Sequence, residues 1–338
     1  MAPRALIVGF AGSELTVADS AYLADVEPWG VIIFARNVVD RDQLTNLTGQ
    51  IRECLARPDA PIFVDQEGGR VQRLSPPEWI SYPPAADIAD CYDDNHEKGL
   101  EAAYLCGRLI SHDLNEVGIT SPCLPVLDVP VDHADPVIGT RAYGLNARTV
   151  TALAWAAAYG VAEGGCLPVV KHIPGHGRAL CDSHHALPCV DTDHKTLVAS
   201  DFEPFRLLNS LPIAMTGHVV FSEYDREQPA TLSRTIIRKV IRELIGFDGL
   251  LMTDDISMNA LGGAIDTRAS SALAAGCDVI LHCNGDAYEM AELAECVNEL
   301  SGRALERAEL ALKTRREPDV FDVGAARARL SDLLSDWN

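Results

Sequence analysis

The chain has 338 residues, of which 47% are hydrophobic, and its 49 acidic and 28 basic residues give a formal net charge of −21. The apolar content is ample for a large core and argues against disorder. The anionic surface argues against nucleic acids and anionic membranes as partners.

Cysteine usage and the N-terminus indicate the compartment. The ten cysteines include no C-x-x-C pair, and scattered thiols of this kind favour a reducing cytosol. The apolar run near the N-terminus is too short for a secretion signal, and no uncharged apolar run reaches membrane-spanning length. We expect a cytoplasmic protein, a monomer, with no membrane or nucleic-acid partner.

Eight short apolar runs recur along the chain. They cover residues 5–10, 30–34, 61–64, 119–129, 167–170, 211–221, 250–253 and 278–281. Helical patterns between them cover residues 40–55, 97–117, 147–163, 235–245 and 269–275. Such alternation indicates a parallel α/β sheet covered on both faces, and eight strands close a TIM-type (β/α)8 barrel. A doubly wound open sheet is the alternative.

The end of the chain follows a different pattern. Residues 288–300, 304–313 and 325–334 are helical in spacing, and no ninth strand pattern is present. We therefore expect residues 286–338 to pack on the barrel as the C-terminal part of one catalytic domain that spans 1–338.

Polar side chains stand where several predicted strands end. A charge there is costly unless it is used or paired, so any one of them alone could equally be a structural ion pair. Five converging strand ends favour a functional site, because parallel α/β proteins place their chemistry at this rim. The residues are Asp65, Asp128, Lys171, His172, His218 and the pair Asp254–Asp255.

The segment 171–185, KHIPGHGRALCDSHH, has the densest set of groups that can move protons. Within it, Asp182 lies two residues before His184. A carboxylate beside an imidazole raises the pKa of the imidazole and fixes its tautomer, which suits general acid/base catalysis. A metal site is also possible. Its candidate ligands are His172, His176, Asp182 and His184.

Two further segments carry charged groups. Residues 65–73, DQEGGRVQR, supply a carboxylate, a glycine turn and two guanidinium groups, but they lack the Lys-Ser/Thr pair of a phosphate-binding loop. In residues 252–258, MTDDISM, two acids meet where the seventh strand ends. Because adjacent side chains on an extended segment point opposite ways, only one of them should face the pocket.

These segments, in this order, resemble a known family. The matching blocks are GVIIFARN (30–37), VDQEGGRVQRL (64–74), IGTRAY (138–143), KHIPGHG (171–177) followed by DSH (182–184), and TDDISM (253–258). They resemble the bacterial β-N-acetylhexosaminidases of glycoside hydrolase family 3, of the cytoplasmic type that recycles muropeptides. The resemblance implies a (β/α)8 barrel without the second domain of longer relatives.

The resemblance also implies a role for each matching residue. Asp254 would be the nucleophile, His184 the general acid/base, and Asp182 the group that orients His184. The residues that would hold the hydroxyls and N-acetyl group of N-acetylglucosamine (GlcNAc) are Asp65, Arg73, Arg141, Lys171 and His172. The resemblance implies no metal and no other cofactor.

The expected activity is that of a retaining exo-β-N-acetylglucosaminidase. Its substrate would be a small cell-wall sugar, GlcNAc-1,6-anhydro-MurNAc with or without peptide, and its role peptidoglycan recycling. Three alternatives stay open: a metal-dependent hydrolase on the same barrel, a non-catalytic sugar-binding protein, and a phosphorylase. The last is possible because a histidine acid, unlike a carboxylate, would not repel an incoming phosphate.

Overall fold

Eight parallel strands form one sheet in the computed structural model, which describes residues 2–334. In chain order these barrel strands are β1 Arg4–Val8, β2 Pro28–Ile33, β3 Ile62–Val64, β4 Ser121–Pro122, β5 Val169–Ile173, β6 Ile213–Thr216, β7 Leu250–Asp255 and β8 Val279–His282. Each overlaps one of the predicted apolar runs. Their side chains are almost all buried, because helices cover one side of the sheet and the barrel interior lies on the other.

The sheet closes on itself. Its strand order is β4-β3-β2-β1-β8-β7-β6-β5. Residues 124–127 span the remaining gap between β4 and β5. The Leu127 amide donates to the Lys171 carbonyl at 2.7 Å, and the Lys171 amide donates to the Pro125 carbonyl at 3.2 Å. The predicted barrel is therefore confirmed, and the open-sheet alternative is wrong.

Two strands are shorter than the sequence pattern predicts. The run 119–129 gives only the two-residue β4, because Pro122 and Pro125 have no amide hydrogen to donate to a neighbouring strand. In the run 211–221 the barrel strand ends at Thr216, and Val220–Phe221 pairs instead with Cys189–Val190 from the loop after β5.

Helices cover the outside of the barrel. They are α1 Val17–Val26, α2 Arg41–Cys54, α3 Ala85–Asp94, α4 His96–Glu116, α5 Ala147–Glu163, α6 His194–Ala199, α7 Glu203–Leu207, a π-helix at Ile236–Leu244, α8 Ile265–Ala275, α9 Ala287–Cys296, α10 Gly302–Thr314 and α11 Val323–Leu333. The sequence pattern did not indicate α1, α3, α6 or α7. Within residues 2–334, every helix is too short or too polar to cross a membrane.

The last helix lies against the helical layer of the barrel. In α11, Ala326 and Leu330 are buried, and Arg329 forms an ion pair with Glu101 of α4 at 2.6 Å. The assignment of 1–338 to one domain stays a prediction, and its residues 1 and 335–338 lie outside the described range.

Helices α4 and α5 pack closely because glycines stand where they cross. A methyl group on Gly160 of α5 would lie 2.2 Å from the Tyr104 carbonyl oxygen, and one on Gly107 of α4 would lie 2.2 Å from the Ala157 carbonyl oxygen. Both distances are well inside van der Waals contact. The two backbones therefore approach to a separation that a larger residue would prevent.

We expect Gly160→Ala to lower the free energy of unfolding by about 1–3 kcal/mol, because the added methyl group forces the two helices apart. Gly49 of α2 is the matched control, since a methyl group there meets nothing within 4 Å. Gly49→Ala should leave stability unchanged or raise it by up to about 1 kcal/mol. Urea unfolding followed by circular dichroism measures both, and equal values would contradict the packing argument.

Candidate active site

A cavity of about 470 Å³ opens at the carboxyl ends of the barrel strands. All eight residues predicted for the site line it: Asp65, Arg73, Arg141, Lys171, His172, Asp182, His184 and Asp254. They come from the ends of two strands, β5 and β7, and from the segments that follow β3, β4 and β5. The barrel therefore gathers the predicted residues around one space.

Two carboxylates hold the ammonium group of Lys171 in the wall of the cavity. Its Nζ lies 2.8 Å from Asp65 Oδ1 and 2.6 Å from Glu67 Oε1, and only 2% of its side chain is exposed. Burial by itself lowers the pKa of Lys171, but the two carboxylates outweigh it and raise the pKa above its usual value. Lys171 is therefore permanently charged at this position.

Glu67 also holds Arg141, through a bidentate ion pair. Arg141 Nε donates to Glu67 Oε2 and its Nη2 donates to Oε1, both at 2.8 Å. Burial favours a higher pKa for Glu67, yet Lys171 and Arg141 bring its pKa down to about 2. Arg73 adds a third cation and donates to Asp65 Oδ2 at 3.1 Å. Two anions and three cations thus form one network.

The sequence prediction missed Glu67. A glutamate next to a glycine turn is usually found on a protein surface. Here the turn folds inward and leaves the Glu67 side chain only 7% exposed. Gly68 permits this with a φ of 102°, and a Cβ there would lie 2.3 Å from the Pro83 carbonyl oxygen. One signal was available: Asp65 and Glu67 stand two residues apart on an extended segment, so their side chains share a face.

Asp128 is a second buried carboxylate, and it positions two histidines. Its Oδ2 lies 2.7 Å from His172 Nδ1, and its Oδ1 accepts the backbone amides of His172 at 3.2 Å and of His176 at 2.7 Å. Burial opposes ionisation, but these partners hold the pKa of Asp128 below its usual value. A neutral His172 therefore carries its proton on Nδ1, and its Nε2 lies 3.5 Å from Arg141 Nη2.

The loop after β5 carries Asp182 and His184 to the mouth of the cavity. His184 Nδ1 lies 2.7 Å from Asp182 Oδ1, which also accepts the His184 amide at 2.9 Å. Partial burial raises the pKa of Asp182, but its bonds to His184 bring the pKa below its usual value. The His184 side chain is 62% exposed. The ionised carboxylate keeps a proton on Nδ1 and leaves Nε2 to give or take one.

Asp254 and Asp255 end β7, and both line the cavity. The expectation that only one of them would face it is therefore wrong. Asp255 Oδ1 accepts the amides of Ser257 and Cys283, both at 3.1 Å, and its Oδ2 accepts the Ser257 hydroxyl at 2.7 Å. Asp254 Oδ1 accepts the Asp255 amide at 2.8 Å. Asp255 thus fixes its own loop and ties it to the segment that follows β8.

Two buried histidines help to keep Asp254 ionised. Burial raises the pKa of Asp254, but the neighbouring imidazoles of His218 and His172 and the hydrogen bond from the Asp255 amide hold it below its usual value. His218 Nε2 donates to the Asp255 carbonyl at 3.0 Å, and its Nδ1 accepts from the Thr231 hydroxyl at 2.7 Å. His218 was one of the predicted strand-end residues, and this structure gives it a supporting position.

The four histidine and aspartate side chains considered as metal ligands do not converge. Within residues 2–334, three ligand atoms of His, Cys, Asp or Glu lie within 4.8 Å of one another only at His112, Asp113 and Glu116 of α4. In the cavity, His172 is taken by Asp128 and His184 by Asp182. The geometry therefore favours proton transfer over metal ligation at these residues.

A family model, a sequence relative and solved structures all match this chain to the same family of proteins. Residues 13–316 match the model of the glycosyl hydrolase family 3 N-terminal domain. The chain is 36% identical over 338 residues to a β-hexosaminidase of Chromobacterium violaceum, an alignment that covers 97% of this chain and 94% of that protein. NagZ from Neisseria gonorrhoeae in complex with N-trifluoroacetyl-D-glucosamine superposes with a TM-score of 0.90, at 30% identity and 99% coverage of both chains. The same protein in complex with a zinc ion superposes with a TM-score of 0.87, at 29% identity and with 100% and 99% of the chains covered.

We expect Glu67→Gln to lower the free energy of unfolding at pH 7 by about 3 kcal/mol, because it removes the anion shared by Lys171 and Arg141. The folded-state pKa of Glu67 is about 2, against an ordinary value of 4.5. Its contribution is therefore complete above the ordinary pKa and is lost as the pH falls through the folded-state pKa. The deficit of the variant should therefore stay constant from pH 7 down to the ordinary pKa of 4.5 and shrink as the pH falls from there towards 2.

Urea unfolding at a series of pH values measures this deficit. The matched control is Glu101→Gln, because Glu101 pairs with Arg329 on the surface with side chains 40% and 48% exposed. That variant should cost less than about 1 kcal/mol. A deficit for Glu67→Gln that is independent of pH would contradict the electrostatic account.

Proposed function

The chain belongs to glycosyl hydrolase family 3, and we propose that this glycosidase is a retaining exo-β-N-acetylglucosaminidase. It removes a terminal β-1,4-linked GlcNAc from peptidoglycan fragments, above all GlcNAc-1,6-anhydro-MurNAc with or without peptide, in the recycling of the cell wall. One observation carries the proposal: an ionised strand-end carboxylate, Asp254, and a carboxylate-bound imidazole, His184, line a single cavity.

Asp254 is the nucleophile of this proposal. Its carboxylate attacks the anomeric carbon of GlcNAc, and the bond from that carbon to the leaving oxygen breaks. The protonated His184 gives its Nε2 proton to that oxygen, while Asp182 stabilises the imidazolium beforehand. Water then gives a proton to His184, attacks the same carbon and releases Asp254. Two displacements at one carbon restore the β configuration.

Asp254 and His184 lie on different kinds of structural element, and each kind suits the proposed role of its residue. Asp254 ends a buried strand, so its position relative to the barrel is well defined. His184 lies on a loop with most of its side chain exposed. We therefore expect the loop to move towards the sugar when substrate binds, which completes the site and excludes water.

The charged wall of the cavity holds the sugar ring. Cations donate to hydroxyl and acetamide oxygens, and a carboxylate accepts from hydroxyls. The residues in this role are Asp65, Arg73, Arg141, Lys171 and His172. A cavity of about 470 Å³ is in the size range of small-molecule sites and is consistent with one terminal sugar. The Neisseria relative with N-trifluoroacetyl-D-glucosamine supports an amino-sugar ligand.

The decisive experiment traps the glycosyl-enzyme with a 2-fluoro amino-sugar donor and maps the labelled peptide. We expect the label on Asp254, and Asp254→Asn should reduce turnover by at least about a thousandfold with the fold retained, because a neutral amide cannot replace the nucleophile. Label on another residue, or near-normal turnover of the variant, would remove Asp254 from this role.

The activity of the enzyme should survive treatment with a chelator. Loss of activity on that treatment would favour the metal-dependent alternative.

His184→Ala should lower kcat/KM far more for substrates with poor leaving groups than for a dinitrophenyl glycoside, because only the former need a proton at the leaving oxygen. General acid catalysis typically contributes about 10²–10⁴-fold, and we expect a loss in that range on the disaccharide. Asn259→Ala is a control that removes a backbone contact of the same loop, since Asn259 Nδ2 donates to the His184 carbonyl at 3.2 Å. Equal losses of His184→Ala on both substrates would argue against the acid role.

A further inference from the structure

A buried hydrogen bond ties the loop that carries His184 to the rim of the barrel. Ser183, which lies between the two partly exposed residues Asp182 and His184, is itself only 4% exposed. Its hydroxyl lies 3.1 Å from His176 Nε2. His176 is 3% exposed and lines the same cavity. The Ser183 side chain thus points into the protein, between the partly exposed Asp182 and His184.

His176 is in turn fixed to the group that positions His172. Its backbone amide donates to Asp128 Oδ1 at 2.7 Å, and Asp128 Oδ2 lies 2.7 Å from His172 Nδ1. The rings of His172 and His176 have centroids 5.8 Å apart. A continuous path of hydrogen bonds therefore runs from His172, through Asp128 and His176, to Ser183.

We propose that His176 is a positioning residue, which holds Ser183 and thereby sets where Asp182 and His184 lie relative to a sugar bound by His172. The role rests on the proposed function, because it acts through the acid/base that function assigns to His184. His176 touches neither the leaving oxygen nor the anomeric carbon in this role.

The hydrogen-bonding state of His176 supports a role beyond packing. Burial and the nearby His172 lower its pKa to about 4, so the ring is neutral near pH 7. Nε2 can then donate to the Ser183 hydroxyl or accept from it. Nδ1 is buried without a hydrogen-bond partner among the described residues. An unsatisfied buried nitrogen is costly, so an apolar ring would serve better if His176 only filled space.

Three variants test the bond from both sides. His176→Gln and His176→Asn form a matched pair, because a Gln amide reaches about as far as Nε2 whereas an Asn amide ends near the position of Nδ1. Ser183→Ala removes the hydroxyl. We expect His176→Asn and Ser183→Ala each to lower kcat/KM about tenfold on the disaccharide and to change it little on the dinitrophenyl glycoside. His176→Gln should keep most of the activity.

The double variant His176→Asn/Ser183→Ala should be no worse than either single variant, since both remove one interaction. Thermal melting checks that each variant is folded, and Ser222→Ala, whose hydroxyl binds Asp191 on the surface, is a neutral control. Equal losses on both substrates, additive losses in the double variant, or a His176→Gln variant as impaired as His176→Asn would overturn the proposal.

Measuring His184→Ala on the same two substrates separates the two possible failures. If His184→Ala shows no dependence on the leaving group, the acid role itself is wrong. If it shows that dependence and Ser183→Ala does not, the acid role stands and the positioning role of His176 is wrong.

Discussion

The ammonium group of Lys171 is buried between Asp65 and Glu67, and the wall of the cavity depends on that arrangement. An unpaired ammonium group at this depth would cost several kcal/mol, so each carboxylate is needed to keep the charge there. Glu67 also binds Arg141, which comes from the loop after β4, and so fixes that side chain as well. Three segments that are distant in the chain are thus held in register by charge, on a barrel whose own rigidity comes from apolar packing.

Asp128 plays the corresponding part on the neighbouring stretch of the rim. Its carboxylate is fully buried and accepts three hydrogen bonds from His172 and His176. Glu67 and Asp128 therefore act by fixing the positions of other side chains. In the proposed mechanism the reacting groups, Asp254 and His184, are the more accessible ones, since they have to meet a sugar and a water molecule.

Much of the fold could be predicted because it depends on local pattern. The eight apolar runs each overlap a barrel strand, and the Ala-rich pattern at 147–163 matches α5 at both ends. The errors lie where another constraint overrides periodicity. Prolines shorten β4, and the pairing of β7 with β8 shifts its register between Met252 and Asp255, so that β7 is irregular at Asp254. The rule of alternating faces then no longer applies.

The site was predictable in part for a similar reason. The eight expected residues could be recognised from motifs, and all of them line the cavity. Spacing places Glu67 on the same face as Asp65, and His176 stands out as a histidine in the motif, but spacing cannot assign their roles. Those roles depend on a partner far away in the chain or on a bond made only after the loop has folded. Lys171 lies 2.6 Å from Glu67 although more than one hundred residues separate them.

The closure of the barrel between β4 and β5 has a thermodynamic consequence. This seam relies on a few hydrogen bonds through residues 124–127, and Asp128 and His172 stand directly after its two sides. A ligand that binds His172 in its Asp128-bound position also favours the closed seam. Ligand binding in the pocket and closure of the barrel are therefore linked equilibria. The protein should resist opening between β4 and β5 most strongly when a ligand is bound.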